Sequence, residues 1–148
     1  MNYLLDTCVL SEYVKKKPNQ QVIQWLDRQN EDRLFISILT IAELRKGIIK
    51  IQNSHPLRHQ KLKNWLEKIE QRFGERILPL NKEILDSWAK TCGESEAMGK
   101  KLAIMDSLIA ATASEHNLII VTRNIIDFQF SSIQLFNPWY CQESSPRK

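Results

Sequence analysis

The chain has 148 residues, 43% hydrophobic and 26% charged, with a net charge of +4 and a pI near 9.0. No apolar run approaches the roughly 18 residues of a membrane span, and the N-terminus lacks the basic stretch, apolar core and cleavage site of a signal peptide, which sets membrane and secreted proteins aside. Three widely spaced cysteines, Cys8, Cys92 and Cys141, form no CxxC pair and suggest no disulfide framework; a reducing cytoplasm is the expected setting, and the basic balance suits a polyanionic partner.

With four Gly and five Pro, the chain reads as one domain over residues 1–141 with a frayed tail, residues 142–148. Asn2 to Leu5 is a short first strand, and Thr7 or Ser11 starts the helix after it. The Lys15-Lys16-Lys17-Pro18 run reads as that helix's cationic end. A second helix is predicted from Gln20 to Arg28, and a second strand from Leu34 to Ser37. Thr40 and Glu43, three apart, have the spacing of a capping box for a third helix. Pro56 opens a long amphipathic helix with Leu57, Leu62, Trp65, Leu66 and Ile69 on its apolar side.

Ile77 to Leu80 is a third strand, limited by Pro79. Helical patterning over Lys82–Lys90 gives way to a looser stretch, Cys92 to Lys101. Leu102 to His116 is strongly helical and ends at Asn117. Leu118 to Thr122 is the clearest strand, and Ile133 to Phe136 a fifth, before Asn137-Pro138-Trp139. Short apolar strands alternating with helices predict an α/β fold, a parallel sheet covered on both faces.

Ligands of such sheets gather beyond the carboxyl ends of the strands. Asp6 ends the first strand, Glu43 lies in the helix entered from the second, and Asp127 follows the fourth. Asp106 is the most informative acid. Its helical neighbours three and four away are Leu102, Ala103, Ile109 and Ala110, all apolar, so its carboxylate is expected inside the face that packs on the sheet. A lone ionised carboxylate there is severely disfavoured, and the remedies are protonation, a basic partner or a metal.

Two carboxylates about 4 Å apart repel by roughly 4 kcal/mol at an effective dielectric near 20, so converging acids raise one another's pKa values unless divalent cations compensate them. Oxygen ligands without paired His or Cys favour Mg2+ or Mn2+ over Zn2+. Such a site activates water and stabilises the charge that builds on a phosphodiester during in-line attack. Each acid also has a plainer reading: Asp6 as a helix cap, Glu43 as the acid of a capping box, Asp127 as a turn residue, Asp106 in a structural salt bridge. The coincidence of all four favours the metal site.

The segments Tyr3-Leu4-Leu5-Asp6-Thr7-Cys8-Val9-Leu10-Ser11-Glu12, Thr40-Ile41-Ala42-Glu43-Leu44-Arg45-Lys46-Gly47-Ile48, Met105-Asp106-Ser107-Leu108-Ile109-Ala110-Ala111-Thr112-Ala113 and Val121-Thr122-Arg123-Asn124-Ile125-Ile126-Asp127-Phe128, in this order and spacing, resemble the PIN-domain nucleases, in particular the VapC toxins of type II toxin–antitoxin pairs and their FitB-like branch. Asn137-Pro138-Trp139 also looks like this branch. The resemblance implies a three-layer α/β/α sandwich with a five-stranded parallel sheet. It implies that Asp6, Glu43, Asp106 and Asp127 are the catalytic, metal-binding acids, and that Thr7, Thr122 and Asn124 orient those acids or a metal-bound water. The implied activity is a Mg2+- or Mn2+-dependent endoribonuclease. The implied partners are an RNA substrate, a small VapB-like antitoxin and a second copy of the chain in a homodimer.

The remaining features carry less. His55 and His59 straddle Pro56 and have no third ligand nearby, so they read as surface residues or weak phosphate contacts. Arg45, Lys46 and Arg123, with Lys50 and the Lys15–Lys17 run, are candidate contacts to the RNA backbone, or solvated surface. Trp25, Trp65, Trp88 and Trp139 read as core or interface anchors. Cys8 reads as a small buried side chain beside the site. The competing functions are a PIN nuclease of RNA processing without an antitoxin, and a non-catalytic binding module. A hydrolase with an aspartyl nucleophile wants a second acid two residues after Asp6, where Cys8 stands.

Overall fold

A computed structural model describes residues 1–140; Cys141 and the expected frayed tail lie outside the described residues. Five strands, β1 (Tyr3–Leu5), β2 (Leu34–Ser37), β3 (Ile77–Leu78), β4 (Ile119–Val121) and β5 (Leu135–Phe136), form one sheet in the order β3-β2-β1-β4-β5, with every pair parallel. Strand β1 is central. Tyr3 is in register with Leu34 on one side and Ile119 on the other. The chain winds outward from β1 first to one edge and then to the other, which makes the β1/β4 border the topological switch point.

Among the described residues six α-helices cover the sheet: α1 (Thr7–Ser11), α2 (Gln20–Arg28), α3 (Ile38–Lys50), α4 (Pro56–Phe73), α5 (Lys82–Ala97) and α6 (Ile104–His116). Neighbouring strand residues point to opposite faces, so each central strand feeds two cores. Leu5 and Val121 pack with Val9, Val22, Ile41 and Leu66 on one face. Leu4 and Ile120 pack with Ile109, Ala113 and Phe128 on the other. The result is the three-layer α/β/α sandwich. No helix among the described residues is long and apolar enough to cross a membrane.

Several boundaries differ from the sequence expectation for physical reasons. Thr40 does not cap α3. Ser37 does, its Oγ accepting the Leu39 N–H at 3.0 Å, because the helix begins at the very end of β2, and Thr40 is fully buried inside the helix. Helix α5 runs on through Gly93 to Ala97, since Ile84, Trp88 and Cys92, spaced by four, keep one face buried. The lysine run lies beyond α1 altogether, after a 3-10 turn over Glu12–Val14. Leu57, counted on the apolar side of α4, is 89% exposed. Strands β3 and β5 are two residues each, and α6 starts at Ile104 rather than Leu102. Asn117 ends α6 in the left-handed region, φ 55°, ψ 49°.

Candidate active site

Asp6 is both a helix cap and a member of the acidic group. Its backbone is extended (φ −73°, ψ 160°), and Oδ1 accepts the Thr7 N–H at 2.9 Å. Oδ2 accepts the Thr122 hydroxyl at 2.8 Å. Thr122 is fully buried at the end of β4, and its Oγ1 accepts the Asn124 N–H at 2.9 Å. Asn124 therefore enters this network through its backbone. The Thr7 hydroxyl, one step into α1, donates to Glu43 Oε1 at 2.7 Å and lies 3.5 Å from Thr40 Oγ1. Two threonines thus bind two acids from different elements into one carboxyl-edge network.

Asp106 is not inside the packed face as expected. It occupies the first turn of α6 and is half-buried, while the fully packed stretch starts one residue later and runs from Ser107 to Ala113. Leu102 and Ala103 precede the helix and do not flank Asp106 on its face. The carboxylate lies in the first turn of α6, at the positive end of the helix dipole. Asp127 stands on a 3-10 turn, Ile125–Phe128, whose Phe128 is driven fully into the core. That anchor fixes an otherwise exposed turn.

Two of the four acids, Asp106 and Asp6, respond to the charges of the others. Burial first, then the charges of Asp127, Asp6 and Glu43, push the Asp106 carboxyl up to about 6. Burial also raises Asp6, opposed by the hydrogen bonds from Thr122 and the Thr7 N–H and reinforced by the charge of Glu43. None of the four makes an ion pair among the described residues. Of the three remedies that the sequence poses for Asp106, a basic partner is therefore absent there. Among the described residues no group of three His, Cys, Asp or Glu side chains is gathered as a ready-made metal cage. Repulsion between like charges spreads such side chains when no cation stands among them. The donor chemistry, hard carboxylate oxygens with no imidazole or thiolate beside them, fits Mg2+ or Mn2+.

Cys8 sits at the edge of this network, its Sγ 3.8 Å from both Asp6 Oδ2 and Thr122 Oγ1, and burial pushes its thiol up. Of the candidate backbone contacts, Arg45 is tied to Glu70 at 2.7 Å, Lys46 is exposed, and the Arg123 guanidinium lies 4.5 Å from the centre of the Trp139 ring. His59 Nδ1 is 2.7 Å from the Ile48 carbonyl oxygen, while His55 stands outside α4 beside Ser54. Trp25 packs between Tyr3 and Phe136, and Trp88 donates to Ser107 Oγ at 2.9 Å.

One residue escaped the sequence reading. Glu12 is 1% exposed, with Oε1 accepting the Asn19 N–H at 2.8 Å and Oε2 2.6 Å from Lys15 Nζ. Burial works to raise its pKa, but the hydrogen bonds from Lys15 and Asn19 and the charges of Lys15 and Arg123 prevail and hold it below the usual glutamate range. The signal was present: an acid three residues after Val9, on the helical face that Val9 carries into the core.

A parallel sheet of this order carries at its carboxyl edge a hydrogen-bonded link from Asp6 through Thr7 to Glu43, with Asp106 within electrostatic reach. Residues 3–129 match the PIN domain, and the chain belongs to that family. It is 37% identical over 142 residues to "Toxin FitB" of Neisseria gonorrhoeae, covering 93% of this chain and 98% of that one. It is 32% identical over 137 residues to "VapC ribonuclease Y4jK" of Sinorhizobium fredii, with coverage of 92% and 96%. Among solved structures, that of FitAcB from Neisseria gonorrhoeae superposes with a TM-score of 0.85 at 35% identity, covering 94% of this chain and 99% of that chain.

Proposed function

We propose that this chain is the toxin of a toxin–antitoxin pair and acts as a metal-dependent endoribonuclease at the Asp6, Glu43, Asp106 and Asp127 cluster. The observation that carries the reading is the absence, among the described residues, of any cationic partner for these four carboxylates, of which Asp106 and Asp6 are raised in pKa by burial and by the charges of the others. The relative named a VapC ribonuclease supports the activity. The relative named a toxin, with the FitAcB structure, supports a small antitoxin as partner.

In this reading the four acids hold Mg2+ or Mn2+, which when bound supplies a water nucleophile and neutralises charge on the phosphodiester. The protein's own contribution is positional. Thr122 donates to Asp6 Oδ2, which favours the ionised form against the burial that raises its pKa, and Thr7 donates to Glu43 Oε1 and so holds that carboxylate beside α1. Asp106, with its pKa near 6, is the acid that changes protonation closest to neutrality. Arg45 and Lys46 on α3 are contacts for the RNA backbone, and the working form is a cytoplasmic homodimer of one nuclease domain over residues 1–141.

The test is cleavage of total RNA with added Mg2+ or Mn2+, followed by sequencing of the cut ends, with Asp106→Asn as control. Cleavage by the unmodified chain and none by a folded Asp106→Asn variant is expected. Equal activity in the two removes the site assignment. An adjacent reading frame encoding a small antitoxin separates the toxin from an RNA-processing nuclease.

A further inference from the structure

Four acids make the cleft repulsive to a polyanion, and a phosphodiester backbone reaches it only if cations on the rim offset that repulsion. One cation is built into the rim by the strand that serves Asp6. Arg123 follows Thr122 directly, and the Thr122 N–H bonded to the Phe136 carbonyl at 2.9 Å fixes the backbone there. The Arg123 guanidinium carbon stands 4.5 Å over the ring of Trp139. That ring is itself held. Trp139 packs against the core on the β1–α2 side, and its backbone N–H donates to Asn137 Oδ1 at 2.9 Å.

Arg123 shares with Lys46 the absence of an ion pair among the described residues and adds to it a seat on an aromatic ring. Arg45, Arg72, Arg76 and Lys15 all make ion pairs; Arg123 is exposed and makes none among the described residues. Stacking engages the face of a guanidinium and leaves its in-plane N–H donors available, in the fork that matches two phosphate oxygens. The ring thus fixes a cation directly after Thr122, whose hydroxyl serves Asp6, where its charge is felt at Cys8 and Glu12. Glu12, buried and ionised within reach of the Arg123 charge, adds a fixed negative field beneath this part of the rim and also anchors Lys15.

We propose that Arg123, seated on the face of Trp139, grips a phosphate of the RNA backbone beside the acidic cleft, and that Trp139 is the positioning residue that keeps the guanidinium off the carboxylates. This rests on the ribonuclease reading. A phosphate of the substrate is favoured over an acidic protein segment because a strand whose scissile bond lies at Asp6 must carry its neighbouring phosphates across this rim.

The test uses a labelled random-sequence single-stranded RNA pool and the full chain with Mg2+ or Mn2+. Arg123→Gln is expected to raise the apparent KM by about tenfold or more, far beyond any fall in kcat, with Mn2+ affinity unaltered. Trp139→Leu shifts KM in the same direction by less. A second reading avoids turnover: in an Asp106→Asn background, Arg123→Gln lowers the slope of log affinity against log salt by about 0.7 for a single strand. Because Arg123 is exposed, its variant reports whether or not Trp139→Leu folds. An unchanged KM and salt slope, or a loss confined to kcat, overturns the proposal while leaving the ribonuclease reading intact. Absence of RNA cleavage by the unmodified chain removes both.

Discussion

The Thr122 hydroxyl donates to Asp6 Oδ2 at 2.8 Å across 116 positions of sequence, and it ties the end of the fourth strand to the end of the first. The bond closes the switch point of the sheet and also sets the charge state of the acid it holds. Replacing Thr122 with Val keeps the shape and removes the donor. Asp6 then rises further in pKa, since the bond favours its ionised form. We expect Mn2+ affinity and cleavage to fall about 10–100-fold, and the melting temperature to drop by about 2–4 °C. Isothermal titration and a thermal melt check the two parts. Undiminished metal binding in Thr122→Val shows that the hydroxyl serves packing alone.

Asp106 sets a pH dependence of opposite sign to the usual carboxylate. Its folded pKa of about 6 exceeds the ordinary 3.8, so between these values the native state binds more protons than the unfolded one. Stability of the metal-free protein therefore falls as pH rises from about 4 to about 6, and the penalty is fully present above that window. Asp106→Asn abolishes cleavage yet stabilises the metal-free protein at pH 7, by about 1 kcal/mol once solvent screening is allowed for, or about 2–4 °C. The gap closes near pH 4. Melts of both proteins across this range, with and without Mn2+, decide it: added Mn2+ raises the melting temperature of the unmodified chain only.

Glu12 behaves in the reverse sense. Its folded pKa lies below the ordinary 4.5, so the stability it contributes is present above that value and is lost as pH falls through the folded pKa. Glu12→Gln keeps an acceptor for the Asn19 N–H but loses the charge facing Lys15. The variant is expected to be about 1–3 kcal/mol less stable at pH 7, with the difference shrinking below pH 4. Urea titrations at two pH values measure it. A constant difference would falsify the ionised state of Glu12.

Asn117 adopts φ 55°, ψ 49°, where a Cβ crowds the following carbonyl. Asn117→Gly is expected to leave stability nearly unchanged, and Asn117→Ala to cost about 1 kcal/mol. Equal melting temperatures for the two variants would show that the turn relaxes without strain.

Local signals in the sequence carried much of the fold. Pro56 sets the first turn of α4, Asn117 stops α6, and helix α2 and strand β2 stand where their patterns place them. Tertiary effects account for the rest. Gly93 and Ser95 look like a break in α5, but Cys92 is buried and carries the helix past them. Thr40 looks like a cap because the chain gives no sign that β2 runs into α3 without a linker. Asp6 directly follows β1 and Asp106 lies in the first turn of α6, positions that strand and helix patterns place, whereas Glu43 lies mid-helix and is linked to Asp6 only through Thr7. What could not be read was depth. Asp106 has apolar neighbours in sequence yet is only half-buried, because α6 begins two residues later than its pattern suggests. Glu12 looks like surface and is buried, because Lys15 and the Asn19 N–H, both from beyond α1, close over it.

The central position of β1 has a consequence for the order in which the molecule comes into being. The first strand made by the ribosome has its sheet partners at residues 34 and 119, and the donor for Asp6 arrives only at residue 122. Long-range pairings of this kind form late, since the loop between them must be closed before any contact rewards it. A nascent chain halted anywhere before β4 carries Asp6 and Glu43 but neither Asp106 in its place nor the strand that completes the cleft. In the ribonuclease reading proposed above, catalytic competence is thereby withheld until most of the polypeptide has emerged.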